Sequence, residues 1–448
     1  MGSTISCRFI FGKFKGKRMN NVRDFGAVGD GVTKDTAAIQ KAIDAGGVVR
    51  FPPGTYLSGT LYLKSNGGLE LEPGATLLAS PDPQDYNAAD FCPQNWSSKN
   101  EIASGGHFIV CLEQHDVVIR GGGTIDGNYP AFLNELEPNG LWYKRTWRPS
   151  QMVYFCESQN IWIDNVNLRN SPYWTCFLHG CDYATISNVH IHGDVHVPNQ
   201  DGIDIDCCRF VTVTNCVIDS SDDCITLRGD DKRLSSPKPC EMVAVSNCVL
   251  KSGYANALRI GVGDGVVRNC TFSNIVITET RTAVCVISKY SAAGKNKGVD
   301  ISDVSFSNLQ LDVERFLNLK LDNADNFEFP SPASISRIHF SQIRGKATLT
   351  SYIHGNNVGT ISDIGFSDID LAYGGCGPCP DRNAQGWWGR SSTDAAFEVR
   401  YSQSIDFDKT RIHWLNDNPA WTTDFDIIAS QDIIVNDNCR PAKGIRRR

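Results

Sequence analysis

The chain has no apolar run approaching the length of a membrane span, so no transmembrane segment is expected. It also lacks a cationic excess. A net charge of −7 leaves nothing to build the broad basic face that nucleic acid requires. No grouping of Cys and His has zinc-site spacing. Gly261-Val262-Gly263-Asp264-Gly265 looks superficially like a phosphate loop, but no helical pattern follows it. No metal, nucleotide or other cofactor is therefore expected. Phe9-Ile10-Phe11 is too short for a secretory signal core, which points to a cytoplasmic protein, with secretion as the alternative. Helical periodicity is nearly absent. The single expected helix runs from Thr36 to Ala45, with Asp35 as N-cap, Ile39, Ala42 and Ile43 as its apolar stripe and Gly46-Gly47 as its stop.

What is present in quantity is cysteine, and its number, 17, is odd. A disulfide framework fits poorly in a chain this large without a recognisable secretory signal. Asn215-Cys216, Asn247-Cys248 and Asn269-Cys270 repeat one dipeptide, which reads as small thiols stacked at matching points of a narrow core. Cys376-Gly377-Pro378-Cys379 has redox-like spacing but no βαβ pattern around it, and reads as a loop that could hold one local disulfide. Residues 1–18 carry Arg8, Lys13, Lys15, Lys17 and Arg18 and no acid. Met1-Gly2-Ser3-Thr4-Ile5-Ser6 satisfies the myristoylation pattern, yet Met19, just before the first recognisable element, favours an upstream extension. The expected organisation is a disordered basic extension (1–20), one domain (21–438) and a basic C-terminal tail (439–448).

Repetition dominates that domain. Short β-rich runs each end near an Asn: Asn165, Asn188, Asn215, Asn247 and Asn269, at steps of 23, 27, 32 and 22 residues. A second phrase, Phe272-Ser273-Asn274-Ile275, returns at Phe306, Phe340 and Phe366. Repeats of this period made of strands and turns imply a β-solenoid, in which each rung buries its apolar face only by stacking. Asn at the recurring turn tolerates left-handed backbone and can bond its neighbour on the next rung. A β-sandwich would not repeat phrases in this way. Irregular stretches near 81–105 and 372–395 read as loops thrown out from the rungs, where binding residues concentrate.

Against that frame, Asn199-Gln200-Asp201-Gly202 and Ser221-Asp222-Asp223-Cys224 stand out. Asp201 and Asp222 are 21 residues apart, close to one rung, so the three carboxylates can converge. Converging acids suit glycosidic hydrolysis, where one protonates the departing oxygen and another draws a proton from water. Crowding raises the pKa of at least one of them. Taken singly, each would read as a solvated turn acid.

These motifs resemble glycoside hydrolase family 28, the polygalacturonase-like enzymes. The resemblance begins at Val22-Arg23-Asp24-Phe25-Gly26-Ala27 and Phe51-Pro52-Pro53-Gly54-Thr55-Tyr56. It runs through Gly123-Thr124-Ile125-Asp126-Gly127, Arg148-Pro149 and Asn170-Ser171-Pro172-Tyr173-Trp174 to the two acidic motifs. It implies an all-β, right-handed parallel β-helix, a polysaccharide or oligosaccharide substrate of pectic type, and inversion at the anomeric carbon. It also implies Asp222 as general acid and Asp201 with Asp223 as the pair activating water. Inverting pairs ordinarily stand about 6.5–9.5 Å apart.

Two departures from the family pattern bear on specificity. Its Gly-His-Gly element falls on Ala255-Asn256-Ala257, and its Arg-Ile-Lys element on the uncharged Cys285-Val286-Ile287. A missing carboxylate clamp shifts the expected substrate from plain polygalacturonate toward a rhamnogalacturonan-like or otherwise decorated polymer. Asn199, Asn256 and Arg259 become candidate substrate contacts, Arg259 with the alternative of an exposed strand arginine. His196 and His179 are candidates to replace the lost histidine, and Trp387-Trp388 to stack on a sugar. Two other functions fit the repeats: a β-helical lyase or epimerase, and a non-catalytic carbohydrate-binding solenoid.

Overall fold

The computed structural model describes residues 19–290, 296–324, 327–375, 377–379, 390–415, 418–439 and 441–448. The basic extension, apart from Met19 and Asn20, lies outside them, as do Cys376 and Trp387-Trp388. The strands form one right-handed parallel β-helix. Cys176–His179, for example, pairs in parallel with Val153–Cys156 on one side and Ile203–Asp206 on the other. No helix among the described residues is long and apolar enough to cross a membrane.

The repeated phrases set the register. Phe272, Phe306, Phe340, Phe366 and Phe407 stack inside the core, with successive ring centroids 4.9, 4.9, 4.9 and 4.6 Å apart. Asn188, Asn215, Asn247, Asn274 and Asn308 hold left-handed backbone with φ between 51 and 56°. Their amides link rung to rung, Asn274 to Asn247 at 3.2 Å and Asn308 to Asn274 at 2.8 Å. Asn269 does not belong to this ladder. Val243 pairs with Cys270 and Ser246 with Ser273, so Asn247 stacks on Asn274, while Asn269 turns at a different corner. Cys216 and Cys248 do share a column, whereas Cys270 lies in another. Fourteen of the described cysteines are buried free thiols, as core packing requires.

The helix spans Thr36–Asp44 and buries Ile39, Ala42 and Ile43 over the end of the solenoid. Asp35 precedes it but does not cap it with its side chain. Its carboxylate instead accepts from the Val28 and Gly29 amides at 2.7 and 3.0 Å, pinning the preceding turn. The other end is capped from outside: Asn20 Nδ2 donates to the Ala42 and Gly46 carbonyls.

Both boundaries of the expected domain move outward. Met19–Asn21 is already a strand paired with Val48–Phe51. The C-terminal residues are not a loose tail, since Ile445–Arg447 pairs with Thr423–Ile428. Arg446 there binds Asp394 at 2.6 Å and the fully buried Asp426 at 2.7 Å. Charge pairing explains why a basic segment closes the last rung.

Candidate active site

The acids meet because of rung register. Ile203 pairs with Ile225, and Ile225 with Leu258. Two residues earlier on each rung, Asp201, Asp223 and Asn256 therefore form one column, with Asp222 at its side. The Gly202 amide donates to the Asp223 carbonyl at 2.9 Å, locking adjacent rungs at the site. Glycine is required at 202 because a Cβ there would lie 2.4 Å from the Cys224 carbonyl oxygen. One oxygen from each of Asp201, Asp222 and Asp223 lies within 4.8 Å of the others. These are the nearest oxygens of the three side chains; their other oxygens stand farther apart.

Each acid has its own environment. Burial, together with the charge of Asp223, pushes Asp222 up to about 7. Its carbonyl is anchored by the Ser220 and Ser252 hydroxyls at 2.7 and 2.8 Å. Burial and repulsion from Asp222, Asp204 and Asp223 hold Asp201 well above the usual carboxylate range; its Oδ1 has no hydrogen-bond partner among the described residues. Asp223 is the tethered member. Its Oδ1 accepts from the Asn256 backbone amide at 3.1 Å and from Asn256 Nδ2 at 2.6 Å, and Arg259 stands 3.9 Å from its Oδ2. Protons leave such a cluster in steps that belong to the group. Three carboxylates this close could also ligate a cation, but the guanidiniums of Arg259, Arg281 and Arg228 already bring positive charge to them.

Asn256 thus holds the Asp223 carboxylate in place. Arg259 is no exposed strand arginine. It is only 4% exposed and lies 4.5 Å from the ring centroid of Tyr290. It pairs across the sheet with Cys285, so a cation sits one rung before the uncharged Cys285-Val286-Ile287. Asn199 takes up left-handed backbone (φ 58°) and accepts from buried Arg148 at 3.1 Å, holding the turn that presents Asp201. The two histidines are engaged elsewhere. His196 Nδ1 lies 3.0 Å from the Leu141 carbonyl, and His179 Nε2 lies 3.2 Å from that of Asp230. Trp387 and Trp388 lie outside the described residues.

Below the triad is a charged layer not foreseen in the sequence. Asp204 and Asp206 project outward from Ile203–Asp206, and Arg228 from Ile225–Gly229. Arg228 Nε donates to Asp206 at 3.1 Å, and its guanidinium covers Trp174 at 4.5 Å. Asp204 is fully buried, 4.0 Å from Arg228, with neither oxygen hydrogen-bonded among the described residues. Burial pushes it up to about 8. Acids at alternate positions of the strand Ile203-Asp204-Ile205-Asp206 were the available signal.

The chain is similar to known proteins over most of its length. The family model described as glycosyl hydrolases family 28 matches residues 91–385, and one described as rhamnogalacturonase A/epimerase, pectate lyase-like, matches residues 19–69. A probable polygalacturonase of Vitis vinifera is 26% identical over 69% of this chain, and the match spans 63% of that relative's length. An endo-polygalacturonase of Pectobacterium carotovorum is 26% identical over 61% of the chain and 69% of its own. The solved family 28 exopolygalacturonase of Yersinia enterocolitica superposes with a TM-score of 0.69 at 19% identity, over 93% of this chain and 78% of that one. That last likeness speaks for the fold.

Proposed function

The chain belongs to glycosyl hydrolase family 28, and from that premise we propose that it hydrolyses glycosidic bonds in a pectic polysaccharide or its oligosaccharides, with acidic sugars at the cleavage point. The observation that carries the reading is the convergence of three carboxylates, one of them, Asp222, titrating near neutrality. In this reading Asp222 gives its proton to the departing glycosidic oxygen as the anomeric C–O bond breaks. Water attacks that carbon, and its proton passes to the Asp223–Asp201 pair. Asp223 is suited to be the base because Asn256 and Arg259 both stabilise its charge. Arg259 Nε and Nη2 have no hydrogen-bond partner among the described residues. Both atoms are shut off from solvent, so Arg259 acts on the site through Asp223, whose charge it holds at 3.9 Å.

The test is digestion of polygalacturonate, rhamnogalacturonan and their oligosaccharides in heavy-oxygen water, with products read by mass spectrometry. Saturated products carrying one heavy oxygen per cut are expected. Unsaturated, unlabelled products would mean elimination and a lyase. No cleavage of any polymer would reject the pectic reading.

A further inference from the structure

The names of the relatives divide between endo- and exo-action, so the mode of attack has to be read from the groove. The strands carrying the triad continue toward the N-terminal end of the solenoid as Cys176–His179, Val153–Cys156 and Ile109–Leu112. On an open groove their outward side chains would be exposed. They are buried: Val110, Tyr154 and Phe177 are each at most 1% exposed. They form a second apolar cluster with Ala103, Tyr173 and Trp174, against which Phe91, Trp96 and Leu234 pack.

The cover is the segment from Tyr86 to His107, which crosses the strands from one edge to the other. At the near edge the Thr60 hydroxyl accepts from the Asn87 amide at 3.0 Å and donates to the His107 carbonyl at 2.6 Å, and His107 stacks on Tyr154 at 4.4 Å. At the far edge Gln94 Nε2 donates to Glu157 at 2.6 Å and to Glu113 at 3.2 Å. Tyr154 Oη ties down the Gln94 carbonyl between them. Trp96 then stands against Trp174 at 4.6 Å, and Arg233 from the opposite loop reaches over it. Trp174 lies one rung before Asp201 and two before Asp223, about 10 Å at ordinary strand spacing. On the other side of the triad Tyr290 is 46% exposed and Arg281 half-buried.

We propose that the Tyr86–His107 segment makes the groove blind on one side of the cleavage point, with Trp96 at the closed end, so that the enzyme attacks chain ends and releases a mono- or disaccharide. A polymer cannot thread past a wall latched at both edges, and a wall standing about two rungs from Asp223 leaves reach for only a short terminal unit. This rests on the pectic reading above.

The experiment is a time course on size-defined oligogalacturonides labelled at the reducing end, with viscosity followed on the polymer. The expected result is mono- or disaccharide from the first time point, remaining chains shortened stepwise, and slow loss of viscosity. Early fragments of intermediate length with rapid loss of viscosity would overturn the blind groove while leaving the pectic reading intact. Absence of cleavage would overturn both. In a second arm, Gln94→Ala with Trp96→Ala, checked for native melting, should shift products toward intermediate lengths. Trp96→Ala alone serves if the double variant unfolds. Wild-type product lengths in a folded variant would overturn the role given to the segment.

Discussion

Asp204 offers a prediction about a buried acid beneath the triad. Its carboxyl is fully buried, without a hydrogen-bond partner among the described residues, and 4.0 Å from an arginine that donates to Asp206 instead. It is raised from an ordinary 3.8 to about 8. In the unfolded chain the group ionises near pH 4, whereas in the folded protein it stays protonated to about 8. The folded state therefore binds more protons across that window, and stability falls as pH rises through it. Each unit corresponds to about 1.4 kcal/mol, so the accumulated cost is roughly 3 kcal/mol at pH 6 and about 6 kcal/mol above pH 8. Asp204→Asn removes the titration and leaves the other acids in place. Any change in packing or amide solvation is the same at every pH, so the diagnostic is a slope. Denaturant unfolding of both proteins at several values between pH 4.5 and 8 should show the variant gaining on the wild type by about 1.4 kcal/mol per unit. A stability difference constant across the range would refute the argument.

Other outcomes follow from the same structure. Asn256→Ala removes a charge-assisted bond of 2.6 Å to Asp223 but keeps the backbone bond. A loss of about 1.5–3 kcal/mol in transition-state stabilisation, roughly 10–100-fold in kcat/KM, is expected with little change in melting. Phe340→Ala breaks the ring stack at its middle and should cost about 3–5 kcal/mol by chemical denaturation, with activity per folded molecule retained. Arg446→Ala releases Asp394 and leaves Asp426 to Arg448; with Arg446 one-third exposed, about 1–2 kcal/mol is expected by the same assay. That loss should shrink in acid, because both carboxyls are held low by their arginines and the contribution disappears as they are protonated.

The sequence made the solenoid and the triad legible because both follow from periodicity. Core phenylalanines and turn asparagines recur with the rungs, and two acidic motifs one rung apart must be neighbours. The same periodicity misplaced Asn269, since rungs differ in length and a dipeptide match cannot say at which corner it turns. It also identified Arg259 without its setting. Outward side chains on a solenoid are exposed unless a long loop covers them, and the courses of the 86–107 and 231–239 segments are not periodic. For that reason Asp204, Arg228 and the buried Tyr154 and Phe177 escaped notice, as did the contacts of His196 and His179 with the Leu141 and Asp230 carbonyls. The close approach of the carboxylates follows from columns of side chains on adjacent rungs, which sequence spacing gives only to within the length of a side chain.

The most direct test of the central claim is hydrolysis of a galacturonide oligosaccharide in heavy-oxygen water, followed at early times by proton NMR for wild type and Asp222→Asn. The account predicts saturated products with the label on the newly formed reducing end, of inverted anomeric configuration, and a loss of roughly 100- to 10,000-fold in rate for the variant. Equal rates in wild type and Asp222→Asn, or unsaturated products, would contradict it.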